Sequence, residues 1–205
     1  MKPDLIILEG IEGSGKTQTA EALKTLIQEF YKKTVFITHE PSGTNIGSTI
    51  AQISSLFRKH SVEEKEWIAK GYLIAMQENL KDNILPAINN DEIVICDRSF
   101  ISTFVHQGFD NYSAIHNYVI KHIEKYNIRF FLLDIQPEKA LDRIQTRKQE
   151  KDIVRNTKLS DLAYQRNKYL EYFARKNTFL HFPFAMIEIN DEKPHEIAEK
   201  IYKKL

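Results

Sequence analysis

Residues 10–17 read Gly10-Ile11-Glu12-Gly13-Ser14-Gly15-Lys16-Thr17, and the G-x-x-x-x-G-K-[ST] spacing constrains this chain more than any other feature. Its flanks fit. Leu5-Ile6-Ile7-Leu8 is an apolar run of strand length, and Ala20, Leu23, Leu26, Ile27 and Phe30 recur at helical spacing. A strand, a glycine-rich turn and an amphipathic helix form a phosphate cradle. Gly10, Gly13 and Gly15 let backbone N–H groups converge on an anion, and the helix adds its free amides and positive dipole end. Lys16 can reach the β- and γ-phosphates of a nucleoside triphosphate, and the Thr17 hydroxyl can ligate Mg²⁺.

At 205 residues the chain suits one domain with a substantial core. Its 29 Lys and Arg against 28 Asp and Glu leave a net charge of +1, which gives no general electrostatic footprint for nucleic acid. The lone cysteine, Cys96, lies in the apolar run 93–96 and reads as a core thiol, because a single thiol forms neither an internal disulfide nor a cysteine metal cluster. Met1-Lys2-Pro3-Asp4 has no apolar signal region, and no stretch approaches the ~18 apolar residues that span a bilayer. The expectation is a soluble, cytoplasmic protein with no membrane partner.

Five β-rich apolar segments, 4–9, 34–38, 92–97, 128–135 and 184–189, alternate with helical patterns. Their near-continuous apolar character predicts strands covered on both faces, hence an α/β fold with a doubly wound, five-stranded parallel sheet of the P-loop type. The patterns place helices at 16–31, 47–58, 62–89 with an interruption near Pro86, 112–126, 137–147, 160–175 and 194–204. Pro137 suits a first helical position and Ser160 an N-cap.

Ligands of such sheets gather at the carboxyl ends of the strands. The first strand leads into the phosphate loop, the second into His39-Glu40-Pro41-Ser42-Gly43-Thr44, and the third into Asp97-Arg98-Ser99-Phe100-Ile101-Ser102. Asp97, closing an apolar strand, is placed to hold Mg²⁺; its alternative is a cap for the next helix. Arg98 can bind a second phosphate or form a surface ion pair.

Taken together, these loops resemble the thymidylate kinase family of P-loop nucleoside monophosphate kinases across essentially the whole chain. Residues 9–17 look like the bacterial form of the family's P-loop, and Glu40-Pro41-Ser42-Gly43-Thr44 resembles its E-P-G-G-T loop. Asp97-Arg98-x-x-x-Ser102 with Gln107-Gly108 resembles D-R-x-x-x-S…Y-Q-G, and Phe131-Leu132-Leu133-Asp134 with Pro137-Glu138-x-x-Leu141-x-Arg143 fits the fourth strand and its helix.

The resemblance implies ATP and Mg²⁺ as cofactors, dTMP as acceptor and a homodimer. It implies that the whole loop Gly10, Ile11, Glu12, Gly13, Ser14, Gly15, Lys16 and Thr17 cradles ATP, and that Glu12 faces the deoxyribose or orients a lid arginine. Arg98 would hold the acceptor phosphate, Tyr72 would stack on the base unless it is an ordinary core aromatic, Glu40 would belong to the acceptor loop, and Ser102, Thr103 and Gln107 would touch the base edge. Lys16 is the only cation inside the phosphate loop, so further positive charge must come from elsewhere. Residues 147–158, with five basic and two acidic side chains, form the candidate lid, or else a solvated charged loop. There Arg147 and Arg155 are the candidate catalytic arginines, with Arg143 a candidate for the adenine or phosphates of the donor.

The chain departs from the family pattern at His39, Ser99 and His106. Met76 stands where the family has a base-reading arginine, with Gln77 a candidate substitute, and Ile153 follows Asp152 where D-R-x-E is usual. Kinases of other nucleoside monophosphates, and a regulatory nucleotide-binding protein without efficient turnover, are the competing readings.

Overall fold

The computed structural model describes residues 2–56, 61–107, 113–151, 157–174 and 182–205. Strands β1 (Leu5–Glu9), β2 (Val35–His39), β3 (Ile93–Asp97), β4 (Ile128–Ile135) and β5 (Phe184–Ile189) pair in parallel in the order β2-β3-β1-β4-β5. The expected five strands are all present. Every residue of β1 and β3 is buried, as the unbroken apolar runs require of central strands covered on both faces.

Among the described residues the helices are α1 (Lys16–Tyr31), α2 (Asn45–Leu56), α3 (Val62–Asn79), α4 (Leu85–Asn89), α5 (Phe100–Gln107), α6 (Ser113–Ile123), α7 (Pro137–Lys151), α8 (Leu159–Ala174) and α9 (Pro194–Tyr202). Ser61 and Glu64 close a reciprocal capping box at the start of α3. The break expected near Pro86 is a π turn over Leu80–Ile84, immediately before α4. Pro86 has no N–H to donate and its ring crowds the preceding turn, and the wider turn accommodates both.

Three expectations needed correction. Residues 100–107, given no helix by the sequence pattern, form helix α5, although Phe-Ile-Ser-Thr-Phe-Val is rich in aromatic and β-branched residues. Helix α7 runs beyond Arg147 to Lys151. Ser160 is not a cap; it lies inside the first turn of α8, where the Asp161 and Leu162 amides donate to the Lys158 carbonyl.

From β1 the chain winds to β2 and β3 on one side and then crosses to β4 and β5 on the other. The carboxyl end of β1 therefore lies at the point where the winding direction reverses, the crevice in which open α/β sheets bind ligands. Phe100, Phe130, Tyr169 and Tyr172 pack beneath it in the core, and Cys96 is buried as expected.

Candidate active site

The phosphate loop turns so tightly that its glycines have no substitute. Gly10 has φ 145° and Gly13 φ 86°; a Cβ would stand 2.6 Å from the Leu133 carbonyl oxygen at the first and 2.5 Å from that of Ala140 at the second. Helix α1 starts at Lys16 with no capping side chain and no acid in its first turn, so its amino end is open to an anion. Lys16 is folded back on the loop, its Nζ donating to the Gly10 and Ile11 carbonyls at 2.9 Å each and to Ser14 Oγ at 3.2 Å. Burial, reinforced by Arg98, pushes this ammonium down to about 7, against the pull of Asp97, Glu9 and Glu12. A bound phosphate would add negative charge beside this ammonium and favour its charged form.

Thr17 and Asp97 meet across the crevice, the Thr17 hydroxyl donating to Asp97 Oδ2 at 2.5 Å. The other oxygen, Oδ1, is buried and has no hydrogen-bond partner among the described residues. No α5 amide donates to this carboxylate, so Asp97 does not cap that helix. A hydroxyl beside a carboxylate with a spare buried oxygen is a hard-oxygen donor set suited to Mg²⁺.

Beside this pair opens a cavity of about 650 Å³. The loop after β2 brings Glu40, α3 brings Tyr72 and Met76, the turn after β3 brings Arg98, and α5 brings Ser102, Thr103 and Gln107. All six acceptor-side candidates from the sequence other than Glu12 therefore line one space. Glu40 is buried and accepts from Asn79 Nδ2 at 2.7 Å through Oε1; its Oε2 has no hydrogen-bond partner among the described residues. Burial pushes this carboxyl up to about 7 despite the Asn79 bond. Gln107 Oε1 is likewise buried without a hydrogen-bond partner among the described residues. Met76 lines the cavity, and Gln77, the neighbouring residue of α3, is not among its lining residues. Tyr72 is partly buried, packing against the core while also lining the cavity.

Sequence reasoning missed the centre of the network behind this cavity. Glu9, the last residue of β1, is fully buried and accepts from the Ser99 amide at 2.8 Å, Ser99 Oγ at 2.7 Å, Ser102 Oγ at 2.8 Å and Tyr169 OH at 3.1 Å. Burial raises its carboxyl, opposed by the Ser99 and Ser102 bonds and by Arg98 and Lys16. A charged residue ending an apolar strand was the available signal for Glu9. Tyr169 gave none, because it arrives from α8, about 160 positions away in the sequence.

Arg98 has φ 76°, a left-handed conformation that costs a non-glycine residue about 1–3 kcal/mol when held at a functional site. Its amide donates to the Leu8 carbonyl at 2.9 Å, and the Cys96 thiol donates to its carbonyl at 3.0 Å. The guanidinium Nη1 donates to Gly10 O at 3.4 Å, Ser102 Oγ at 3.3 Å and Tyr169 OH at 3.4 Å. These contacts leave Nε and Nη2 without a hydrogen-bond partner among the described residues.

On the far side of the phosphate loop, Arg147 of α7 pairs with Glu12 at 3.0 Å. Arg143 turns away, its Nη2 donating at 3.4–3.5 Å to the Asn190 and Glu192 carbonyls beyond β5. Arg155 and the stretch 152–156 of the candidate lid lie outside the described residues. Among those described, no helix is long and apolar enough to cross a membrane.

Comparison with known proteins places this geometry in a family. Residues 8–188 match the family model described as thymidylate kinase. A thymidylate kinase of Buchnera aphidicola is 32% identical over 184 residues, covering 86% of this chain and 84% of that protein. One of Mycoplasma genitalium is 30% identical over 210 residues, covering 98% and 92%. The crystal structure of a thymidylate kinase from Ehrlichia chaffeensis superposes with a TM-score of 0.67 at 20% identity, covering all of this chain and 98% of that one, which shows a shared fold. With a family match across most of its length and relatives at this identity, the chain belongs to the thymidylate kinase family.

Proposed function

We propose that the chain transfers the γ-phosphoryl group of ATP to dTMP, giving ADP and dTDP. One observation carries this reading: Lys16 and Arg98 both donate to the Gly10 carbonyl, so the donor-phosphate loop and the mouth of the 650 Å³ cavity share one edge. The donor and acceptor phosphates then lie side by side for in-line transfer. Catalysis is positioning and electrostatic stabilisation, and needs no strong base, because the acceptor phosphate is already anionic at neutral pH.

In this reading residues 10–17 hold the donor phosphates, and Arg143, beside the Asn190 and Glu192 carbonyls, serves the adenine or phosphates of the donor. Arg98 presents its free guanidinium edge to the acceptor phosphate. Tyr72 stacks on the base, Thr103 and Gln107 face its edge, and Glu40 faces the sugar or base from the loop after β2. Ser102 plays a different part from the one its position suggests, since its hydroxyl is committed to Glu9 and Tyr169. Segment 147–158 serves as a lid, with Arg147 and Arg155 supplying the further positive charge. The retained Lys16, Asp97 and Arg98 disfavour a protein that only binds nucleotide. Ile46 and Ile53 on α2, and Trp67 and Ile74 on α3, are exposed at seven-residue spacing and suit a homodimer contact. The single free, buried thiol fits a cytoplasmic setting.

Thr17 and Asp97 would hold Mg²⁺, which neutralises charge on the donor phosphates when bound. Asp97→Asn is therefore expected to shift the Mg²⁺ concentration for half-maximal activity upward by about tenfold, since an amide oxygen is a weaker ligand than a carboxylate for a hard cation. An unchanged Mg²⁺ titration would remove Asp97 from the metal site. The reaction itself is tested by coupled ADP release, which should require ATP and dTMP together; equal release without dTMP would contradict transfer to the nucleotide.

A further inference from the structure

The buried network at the end of β1 is larger than holding two elements together requires. Glu9 gathers four donors, two of them from Ser99, while Tyr169 and Ser102 each touch both Glu9 and the Arg98 guanidinium. The arrangement converges on one residue. Arg98 takes a left-handed backbone that only the surrounding bonds can maintain, and Glu9 fixes it by accepting the very next amide, that of Ser99. Ser99 itself supplies a hydroxyl that tightens this grip, donating to the same Glu9 oxygen as its amide.

We propose that Tyr169, Glu9 and Ser99 form a buried clamp that positions Arg98 for the acceptor phosphate, and that Tyr169 ties this clamp to the helix following segment 147–158. These are positioning residues acting through Arg98, and the inference rests on the reading of Arg98 as the acceptor-phosphate ligand. Tyr169 sits eleven positions beyond Lys158 on α8, 1% exposed, with its hydroxyl 2.8 Å from Ser102 Oγ. Any shift of α8 therefore reaches the Arg98 guanidinium through one hydroxyl. The clamp restrains Nη1 alone, so Nε and Nη2 remain for a phosphate, and two planar N–H groups in a fixed orientation match its oxygens.

Tyr169→Phe keeps the ring and removes the hydroxyl. Losing a hydrogen bond to a charged group should raise KM for dTMP about tenfold, with kcat changed by less than about threefold and KM for ATP by less than about twofold. In an Arg98→Lys background the same substitution should change KM for dTMP by less than about twofold, because the group it positions has gone. If Tyr169→Phe does not fold, Ser99→Ala carries the test with an expected rise of about threefold in the same parameter. An unchanged KM for dTMP, an equal rise for ATP and dTMP, or an undiminished effect in the Arg98→Lys background would overturn the clamp. If Arg98→Lys itself leaves KM for dTMP unchanged, it is the reading of Arg98 as phosphate ligand that fails.

Discussion

Lys16→Ala should lower kcat by about two to three orders of magnitude while the protein keeps its fold. The ammonium makes only local bonds, to the Gly10 and Ile11 carbonyls and to Ser14 Oγ, all within six residues of it. Desolvation already pushes it down to about 7, so holding it charged near neutral pH stabilises the folded chain little. With nucleotide bound, the same ammonium is the single cation of the loop able to reach the β- and γ-phosphates, and charge develops there as the γ-phosphoryl group moves. Steady-state kcat with saturating ATP and dTMP, read beside a thermal melt, checks this. A near-normal kcat in a folded variant would remove Lys16 from the mechanism.

Arg147→Ala is expected to have an effect of similar or larger size. Its ion pair with Glu12 joins a side chain 55% exposed to one 26% exposed, and pairs of that kind add at most about 1 kcal/mol to stability. The substitution should leave the melting temperature within a few degrees. In catalysis, an arginine brought to the transferring phosphoryl group contributes ~10³–10⁵ in rate, and Glu12 already holds Arg147 against the phosphate loop. Single-turnover measurement of the transfer step should show a loss of at least about 10³-fold. A loss below tenfold would assign that charge to Arg155 or Lys151 instead.

How the sequence encodes this site differs from one part to another. The phosphate loop, Asp97 and the five strands were legible because each depends on local pattern: glycine spacing, a carboxylate ending an apolar run, apolar residues without alternation. Helix α5 was missed because its composition favours strand and only tertiary burial makes it helical; Phe100 to Val105 are all buried. The Glu9 clamp was missed for another reason. Its partners come from positions 9, 99, 102 and 169, and nothing local in any of the four announces the others. Ser99 shows the converse, since what looked like a departure from the family pattern is a donor to a buried carboxylate. Met76 remains a departure, lining the acceptor cavity as an apolar side chain.

That departure makes acceptor choice the most direct test of the account. ADP release should be measured with ATP fixed and with dTMP, dUMP, dCMP and dGMP offered in turn, for the native enzyme and for Met76→Arg. The highest kcat/KM is expected with dTMP, with dUMP lower by about 10- to 200-fold because the two differ by one buried methyl group. Met76→Arg should widen the margin of dTMP over dCMP and dGMP, by adding a donor for the base edge. Preference of the native enzyme for dGMP would contradict thymidylate as the acceptor.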